Sequence, residues 1–190
     1  IDRDNDGFAD HMYAADTGGQ LFRFDIYNGK SGSDFIKGAR LADFGGSTEQ
    51  TNRRFYYGPD VSEIALGDEV YYGVALGSGW RASPLNTVVE DNFSMLKDDG
   101  VFKRDTNGNF TFMSTVTESD LYNATSHALT SSRDRTRDLE AQAFANKSGW
   151  FLNLTTNGEK VLAAPLIIDY KVFFTTYVPA VSSTSACAPP

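Results

Sequence analysis

The chain has 190 residues, with 17 lysines and arginines against 25 aspartates and glutamates, and a net charge of −8 at pH 7. This length suits one ordinary domain or a large part of one, and 41% hydrophobic residues are enough for a packed core, which argues against global disorder. The acidic balance argues against nucleic acid or an anionic membrane as the main partner, and no apolar run reaches the roughly 18 residues of a transmembrane helix.

The first part of the chain predicts short strands separated by turns. Aromatic and apolar residues on both sides of Asp16-Thr17-Gly18-Gly19 predict a hairpin over 11–26. The Gly-, Ser- and Asp-rich run 28–52 predicts a long loop. Further strands are predicted at 55–57, 61–66, 70–76, 92–97 and, after the Asn107-Gly108 turn, 110–115.

Helical signals occur only between residues 118 and 147. A first helix is predicted after a cap at Thr117 or Ser119, and a second from about Asp134 to Asn146. The apolar stripe of the second helix consists of Leu139, Ala143 and Phe144. Three more strands are predicted at 150–155, 161–168 and 171–177, followed by a loop at 179–190.

These elements predict an all-β fold. About ten short strands with turn signals between them fit a β-propeller, whose blades have roughly four strands each. The chain therefore accounts for two to three blades of a modified propeller, and a closed ring needs more residues. Residues 1–190 are expected to form part of one propeller domain, with a helical insertion at about 118–147 and a C-terminal loop at 179–190.

The strongest chemical motif is the acidic loop 2–10, DRDNDGFAD. Carboxylates stand at loop positions 1, 3, 5 and 9, and a glycine stands at position 6, as in an EF-hand-like loop. The predicted ligands of one Ca²⁺ ion are the side chains of Asp2, Asp4, Asp6 and Asp10 and the main-chain carbonyl of Phe8. Mg²⁺ fits less well, since it prefers a near-octahedral shell with several retained waters.

The loop departs from an EF-hand in two respects. Position 12 is Tyr13 where a bidentate glutamate is usual, and β signals flank the loop where helices are expected. We therefore expect a calcium loop on a β scaffold, with Asp10 taking the place of the missing glutamate as a direct or water-mediated ligand. The alternative is a solvated acidic turn without a metal.

Catalytic motifs are absent from the sequence. It has no nucleophile elbow, phosphate-binding glycine loop or dinucleotide fingerprint, and its histidines, His11 and His127, form no zinc spacing. Residues 1–20 lack the features of a secretory signal, so any export signal is expected upstream. The single Cys187 cannot form a disulfide within the chain; it either pairs elsewhere or is an idle thiol.

Several stretches together resemble one family, the C-terminal quinoprotein-like propeller domain of PilY-type type IV pilus biogenesis factors and tip-associated adhesins. The matching segments are 2–25 (DRDNDGFADHMYAADTGGQLFRFD), 54–60 (RFYYGPD), 77–86 (GSGWRASPLN), 90–98 (EDNFSMLKD) and 149–177. The Gly-x-Gly-x-Arg-x-x-Pro-Leu element and the Asp-x-Phe strand that follows it are more specific than the calcium loop, which many propellers carry.

The resemblance implies a non-enzymatic role. It implies a calcium-binding domain of a secreted protein at the cell surface or pilus tip, exported through the periplasm of a Gram-negative bacterium. There it would regulate pilus extension and retraction and support surface attachment and twitching motility. The implied partners are minor pilins at the pilus tip and a host or abiotic surface. The family's calcium ligands carry over onto Asp2, Asp4, Asp6, Asp10 and the Phe8 carbonyl, and no Arg-Gly-Asp tripeptide is present.

Two other functions fit a calcium-bearing propeller. One is a quinoprotein (PQQ-type) dehydrogenase, although some of those enzymes use a vicinal cysteine pair that Cys187 alone cannot supply. The other is a calcium-stabilised carbohydrate-binding propeller. Its stacking platforms would be Trp80, Trp150 or the Tyr56-Tyr57 pair, if these side chains are exposed rather than in the core.

Overall fold

The structure, a computed structural model, describes residues 1–126 and 134–179. Over these ranges the protein is mostly β with one α-helix, so the predicted all-β fold with a helical element is confirmed. The predictions for His127 and Cys187, for the part of the helical insertion at 127–133 and for the C-terminal loop beyond residue 179 lie outside the described residues.

The first sheet is antiparallel, with the order β1-β2-β3. Its strands are β1 (His11–Ala15), β2 (Gln20–Ile26) and β3 (Ile36–Asp43). The hairpin of β1 and β2 was predicted, but the prediction of one long loop over 28–52 is wrong, because β3 lies inside it. The strand β3 (IKGARLAD) has only two large apolar residues, Ile36 and Leu41, and no regular alternation of apolar and polar residues, so its local strand signal is weak. Leu41 and Ala42 are nevertheless completely buried, and pairing with β2 overrides the weak local signal.

The second sheet has the order β4-β5-β6-β8-β7. Its strands are β4 (Asp60–Leu66), β5 (Glu69–Gly77), β6 (Asn92–Asp98), β7 (Tyr122–Asn123) and β8 (Gly149–Asn153). All neighbours are antiparallel except β7 and β8, which are parallel. The predicted strands at 55–57 and 110–115 do not form. Phe55 is instead a buried loop residue, and Phe110 makes a single bridge to Arg104 across the predicted turn.

The remaining elements are short. The helix α1 is Asp134–Ala145, and the last strands are β9 (Lys160–Val161), β10 (Leu166–Ile168), β11 (Lys171–Phe173) and β12 (Thr176–Tyr177). They form two separate two-stranded sheets, β10-β11 and β12-β9. The single strand predicted at 161–168 is split at Pro165, which has no backbone N–H for a ladder hydrogen bond.

The first predicted helix is replaced by other structure over its described residues. Thr117 and Asp120 form a capping box, but it closes only the 3₁₀ turn Glu118–Asp120. The chain then enters β7, and Leu121 and Tyr122 are buried. Pairing with β8 and burial of two large side chains thus outweigh the helical signal.

The second helix forms as predicted, but its apolar stripe is not a core face. Leu139 and Ala143 are exposed, and of the three stripe residues only Phe144 packs on Tyr122.

The main core lies between the first and second sheets. Buried apolar side chains from β2, β3, β5, β6 and β8 meet there, namely Leu21, Leu41, Val74, Leu96 and Phe151. A second cluster joins β6 to the strands after β8 and contains Phe93, Val161 and Ile167. Among the described residues the sheets remain open and do not close into a ring. No described helix is long and apolar enough to cross a membrane.

Candidate metal centre and buried polar clusters

The acidic loop folds around its own carboxylates. Both oxygens of Asp2 accept backbone hydrogen bonds, Oδ1 from the Asp6 N–H at 3.2 Å and Oδ2 from the Gly7 N–H at 2.8 Å. The Asp10 Oδ2 accepts the Arg3 N–H at 2.8 Å. The backbone can turn this sharply because Gly7 has φ +92°, a conformation available to glycine at no steric cost.

Three of the four predicted carboxylates converge. One oxygen each from Asp2, Asp4 and Asp10 can be chosen so that all three lie within 4.8 Å of one another. Asp6 is outside this group, and its Oδ1 accepts the Phe8 N–H at 2.8 Å. The Phe8 side chain is exposed. Ligation by Asp6 and by the Phe8 carbonyl therefore stays a prediction.

The donor set fits a hard divalent cation. Among the described residues no lysine or arginine forms an ion pair with Asp2, Asp4, Asp6 or Asp10. The converging carboxylates therefore repel one another with no ion-pair partner in the described part of the chain. Clustered carboxylate oxygens are what Ca²⁺ prefers, since it takes six to eight oxygen ligands. The loop residues can thus hold such an ion, and a divalent cation would reduce the electrostatic repulsion between their carboxylates.

The loop is fixed to the first sheet at both of its ends. The Asp10 and His11 N–H groups donate to the Ile1 carbonyl at 2.8 and 3.1 Å, and the Ile26 N–H donates to the Asp10 carbonyl at 2.7 Å. Ordering the loop therefore also orders the entry to the β1-β2 hairpin.

A buried charge network follows directly after the loop. Arg23, with a fully buried side chain, donates to Asp25 at 2.9 Å within β2 and to Asp98 at 2.7 Å at the end of β6. Asp25 also contacts His11 Nδ1 at 2.7 Å, and the Tyr13 hydroxyl donates to Asp98 at 2.8 Å. Burial alone would lower the pKa of Arg23, but Asp98 and Asp25 outweigh it and raise that pKa. The network therefore joins the two sheets through a permanent guanidinium charge.

The two most specific sequence motifs meet in a second buried cluster. The Ser78 hydroxyl donates to Asp91 Oδ1 at 2.7 Å, and the Asn92 N–H donates to Ser78 Oγ at 2.9 Å. A Cβ on Gly79 would collide with the Val161 carbonyl. The Gly-Ser-Gly motif therefore requires residues without large side chains, because its backbone packs directly against β9.

Lys160 fixes the loop that follows this motif. Its completely buried ammonium group donates to the carbonyls of Pro84, Asn86 and Gly158 at 3.1, 2.8 and 2.6 Å. Burial lowers the pKa of Lys160, and the nearby charge of Asp91 opposes this. The lysine thus holds the Pro-Leu part of the motif in one conformation.

The residues of the predicted aromatic platforms, Tyr56, Tyr57, Trp80 and Trp150, are all half-buried. Trp80 is half-buried beneath the Arg54 guanidinium, 4.3 Å from the ring centre, and Arg81 lies 5.6 Å from the ring of Tyr57. Trp150 is half-buried beside Phe93. These rings are packing partners in the described structure.

Sequence reasoning missed Arg23, Asp98, Asp91 and Lys160 as members of buried polar clusters. Their partners are separated by up to 88 residues, as in the hydrogen bond from Arg23 to the Thr111 carbonyl. One signal was available for Asp91, since it lies inside the Asp-x-Phe motif, but its buried partner Ser78 could not be identified from sequence.

Comparisons with known proteins agree with this structure. No known protein family model matches the chain. Over an alignment of 198 residues, which covers 98% of this chain, the sequence is 29% identical to the Type IV pilus biogenesis factor PilY1 homolog of Xylella fastidiosa strain Temecula1. The chain spans only 13% of that relative's length.

The fold has a solved counterpart. The crystal structure of the Pseudomonas aeruginosa PilY1 C-terminal domain matches 94% of this chain with a TM-score of 0.64 and 19% sequence identity, and the match covers 43% of that chain. The similarity confirms the predicted resemblance to the PilY type. It also confirms the expectation of a propeller-like architecture that does not close in this chain.

Proposed function

We propose that this PilY-like chain is a calcium-binding domain of a type IV pilus biogenesis factor and does not act as an enzyme. The observation that carries the pilus role is the sequence similarity to a relative named as such a factor, which extends over 98% of the chain. The protein would act at the cell surface, with minor pilins at the pilus tip as partners, and would support surface attachment and twitching motility.

The calcium part of the proposal rests on the loop geometry. The convergence of Asp2, Asp4 and Asp10 supports a Ca²⁺ site at the start of the domain. Asp6 and the Phe8 carbonyl would add further oxygen ligands to the coordination shell. An ion bound there would cancel the mutual repulsion of the carboxylates and rigidify the turn that leads into β1.

A complementation experiment in a bacterium that encodes the full-length protein tests both parts. The gene is deleted and then restored as wild type, as Asp4→Asn or as Asp34→Asn, and sheared surface pili and twitching zones are measured. Asp34 is a matched control, since it is an exposed aspartate in the 3₁₀ turn Gly32–Asp34 and is not one of the converging carboxylates.

Deletion should reduce surface pili and twitching, and Asp34→Asn should restore both. Asp4→Asn should alter pilus extension and retraction while the protein is still exported in normal amount. Normal piliation in the deletion strain would contradict the pilus role. Full restoration by Asp4→Asn would contradict a regulatory role for calcium and leave the pilus role standing.

A further inference from the structure

The two-stranded sheet of β10 and β11 is apolar on both of its faces. On the inner face, Ile167 and Val172 lie opposite each other in the register, and both pack into the core cluster around Phe93. Successive side chains of a strand point to opposite faces of the sheet. The residues on either side of this pair therefore form the outer face, which points away from the core.

The outer face consists mostly of large apolar side chains. Leu166, Ile168 and Phe173 are 49%, 52% and 54% exposed. Leu166 lies opposite Phe173, and Ile168 lies opposite the exposed Lys171. An antiparallel sheet that has one face in water normally carries polar residues on that face. Three large apolar residues on so small a face therefore indicate a contact surface.

The turn between the two strands supports this interpretation. Asp169 and Tyr170 have φ values of +51° and +59°, as a tight turn that matches the twist of the strands requires. Glycine and asparagine adopt such values easily, whereas a bulky residue does so at a cost in free energy. The Tyr170 side chain is exposed at the tip. Backbone strain of this kind is concentrated at functional sites.

The strand β11 also has an unpaired edge. Over the described residues its only strand partner is β10, and no backbone hydrogen bond joins it to another element. On β10, by contrast, the Asp60 carboxylate accepts the Ile167 N–H. A hairpin of two strands is marginally stable by itself, and folded proteins cover or otherwise protect an exposed apolar edge because it promotes aggregation.

The size of the solved counterpart indicates what covers this surface. The match to the PilY1 C-terminal domain covers 43% of that chain, so more than half of that chain lies outside the match. Propeller blades have about four strands each, and sheets that pack face to face bury apolar residues between them. The sheet of β10 and β11 has two strands and an open outer face.

We propose that the outer face of β10 and β11 is a blade-to-blade contact in the full-length protein. Its partner is the apolar face of a β-sheet from the part of that protein outside these 190 residues. The contact would bury Leu166, Ile168 and Phe173 and would leave the Lys171 ammonium at the rim. The proposal rests on the PilY-like fold and does not depend on the pilus role or on the calcium loop.

Cysteine labelling of the full-length protein tests the contact. Ile168→Cys and, as a control, Thr106→Cys in an exposed turn are introduced separately and treated with N-ethylmaleimide. Peptide mass spectrometry measures labelling at the introduced cysteine and distinguishes it from Cys187. In the native protein Ile168→Cys should react at least about tenfold more slowly than Thr106→Cys, because the contact must open first. In urea the two should react alike.

A second pair of variants tests the apolar character of the contact. Phe173→Lys would place an unpaired charge between two apolar faces, so the melting temperature of the full-length protein should fall. Leu139→Lys is the matched control, since Leu139 on α1 is about as exposed as Phe173. This control should leave the melting temperature nearly unchanged.

Three outcomes would overturn the proposal. Equal native labelling of Ile168→Cys and Thr106→Cys would show that the outer face stays open to solvent. Protection of Ile168→Cys that is lost on dilution would show that a second copy of the protein covers the face. A melting temperature that falls no more with Phe173→Lys than with Leu139→Lys would show that no apolar surface packs there.

Discussion

Individual side chains contribute very differently to the stability of this protein, and burial determines the size of the contribution. Arg23 and Arg40 both form ion pairs with aspartates at 2.7 to 2.9 Å. The Arg23 side chain is completely buried, whereas the Arg40 side chain is 42% exposed. Removing one member of a buried pair leaves an uncompensated charge in a low dielectric, while an exposed pair contributes little.

Arg23→Met should therefore lower the free energy of unfolding by about 3–5 kcal/mol, since Asp25 and Asp98 would stay buried without their cation. Arg40→Met should cost less than about 1 kcal/mol. Urea denaturation of both variants measures the difference. Equal losses would show that the network does not hold the two sheets together.

The raised pKa of the buried Asp91 carboxyl makes the stability of the folded state depend on pH. Burial raises the pKa of its carboxyl above the ordinary value, although the Ser78 hydroxyl and the nearby cations oppose the rise. Between the unfolded pKa and the raised folded pKa, the folded state binds more protons than the unfolded state. The contribution of Asp91 to stability is thus largest below the unfolded pKa and is lost as pH rises through the folded pKa.

Asp91→Asn removes this titration. The melting temperature of the wild type relative to the Asp91→Asn variant should therefore fall as pH is raised from about 4 toward 7. Thermal unfolding of both proteins over this range provides the measurement. A difference that is constant or increases with pH would contradict the assignment of a raised pKa to Asp91.

At the scale of elements, pairing partners decided the structure where local signals were weak. The residues after Thr117 have a capping box and apolar spacing, yet they form β7 because β8 offers a strand partner. β3 lacks a strong apolar pattern and still forms, beside β2. Helix α1 has adequate local signals, and its described contacts with the second sheet include Phe144, which packs on Tyr122 and lies under the Lys97 ammonium, and Glu140, which accepts the Tyr122 hydroxyl at 2.7 Å.

Two leucines in the predicted insertion differ in burial, and their substitution distinguishes a core position from a surface position. Leu121 is 3% exposed and Leu139 is 57% exposed. Leu121→Ala should cost about 2–5 kcal/mol through lost burial and a residual cavity, and Leu139→Ala should stay within about 0.5 kcal/mol. Denaturant midpoints of the two variants are the readout. A large effect at Leu139 would show that α1 packs more tightly than its exposed face indicates.

At the scale of the molecule, the parts that could be predicted from sequence are those within one continuous segment. The acidic loop shows three of its predicted ligands within nine residues, and its turn is set by Gly7. The Arg23–Asp98 pair and the Lys160 contacts to Pro84 and Asn86 join segments more than 70 residues apart. No local pattern encodes such contacts, because they depend on how the sheets are placed against each other.

The acidic loop also links local chemistry to the stability of the whole domain. It is hydrogen-bonded to the ends of both β1 and β2, and His11 continues from it into the buried network. An ion that binds only the folded state raises its stability by mass action. Calcium at this loop is therefore expected to stabilise the domain as a whole, in addition to ordering one turn.

Calorimetric titration of the chain with Ca²⁺, with and without Mg²⁺, tests the calcium site most directly. We expect one ion to bind with a dissociation constant of about 10⁻⁷ to 10⁻⁵ M, with little competition from Mg²⁺. Asp4→Asn should weaken binding at least roughly tenfold, the equivalent of about 1.4 kcal/mol, whereas the exposed control Asp34→Asn should bind as the wild type does. No measurable calcium binding, or an isotherm that Asp4→Asn leaves unchanged, would contradict the site.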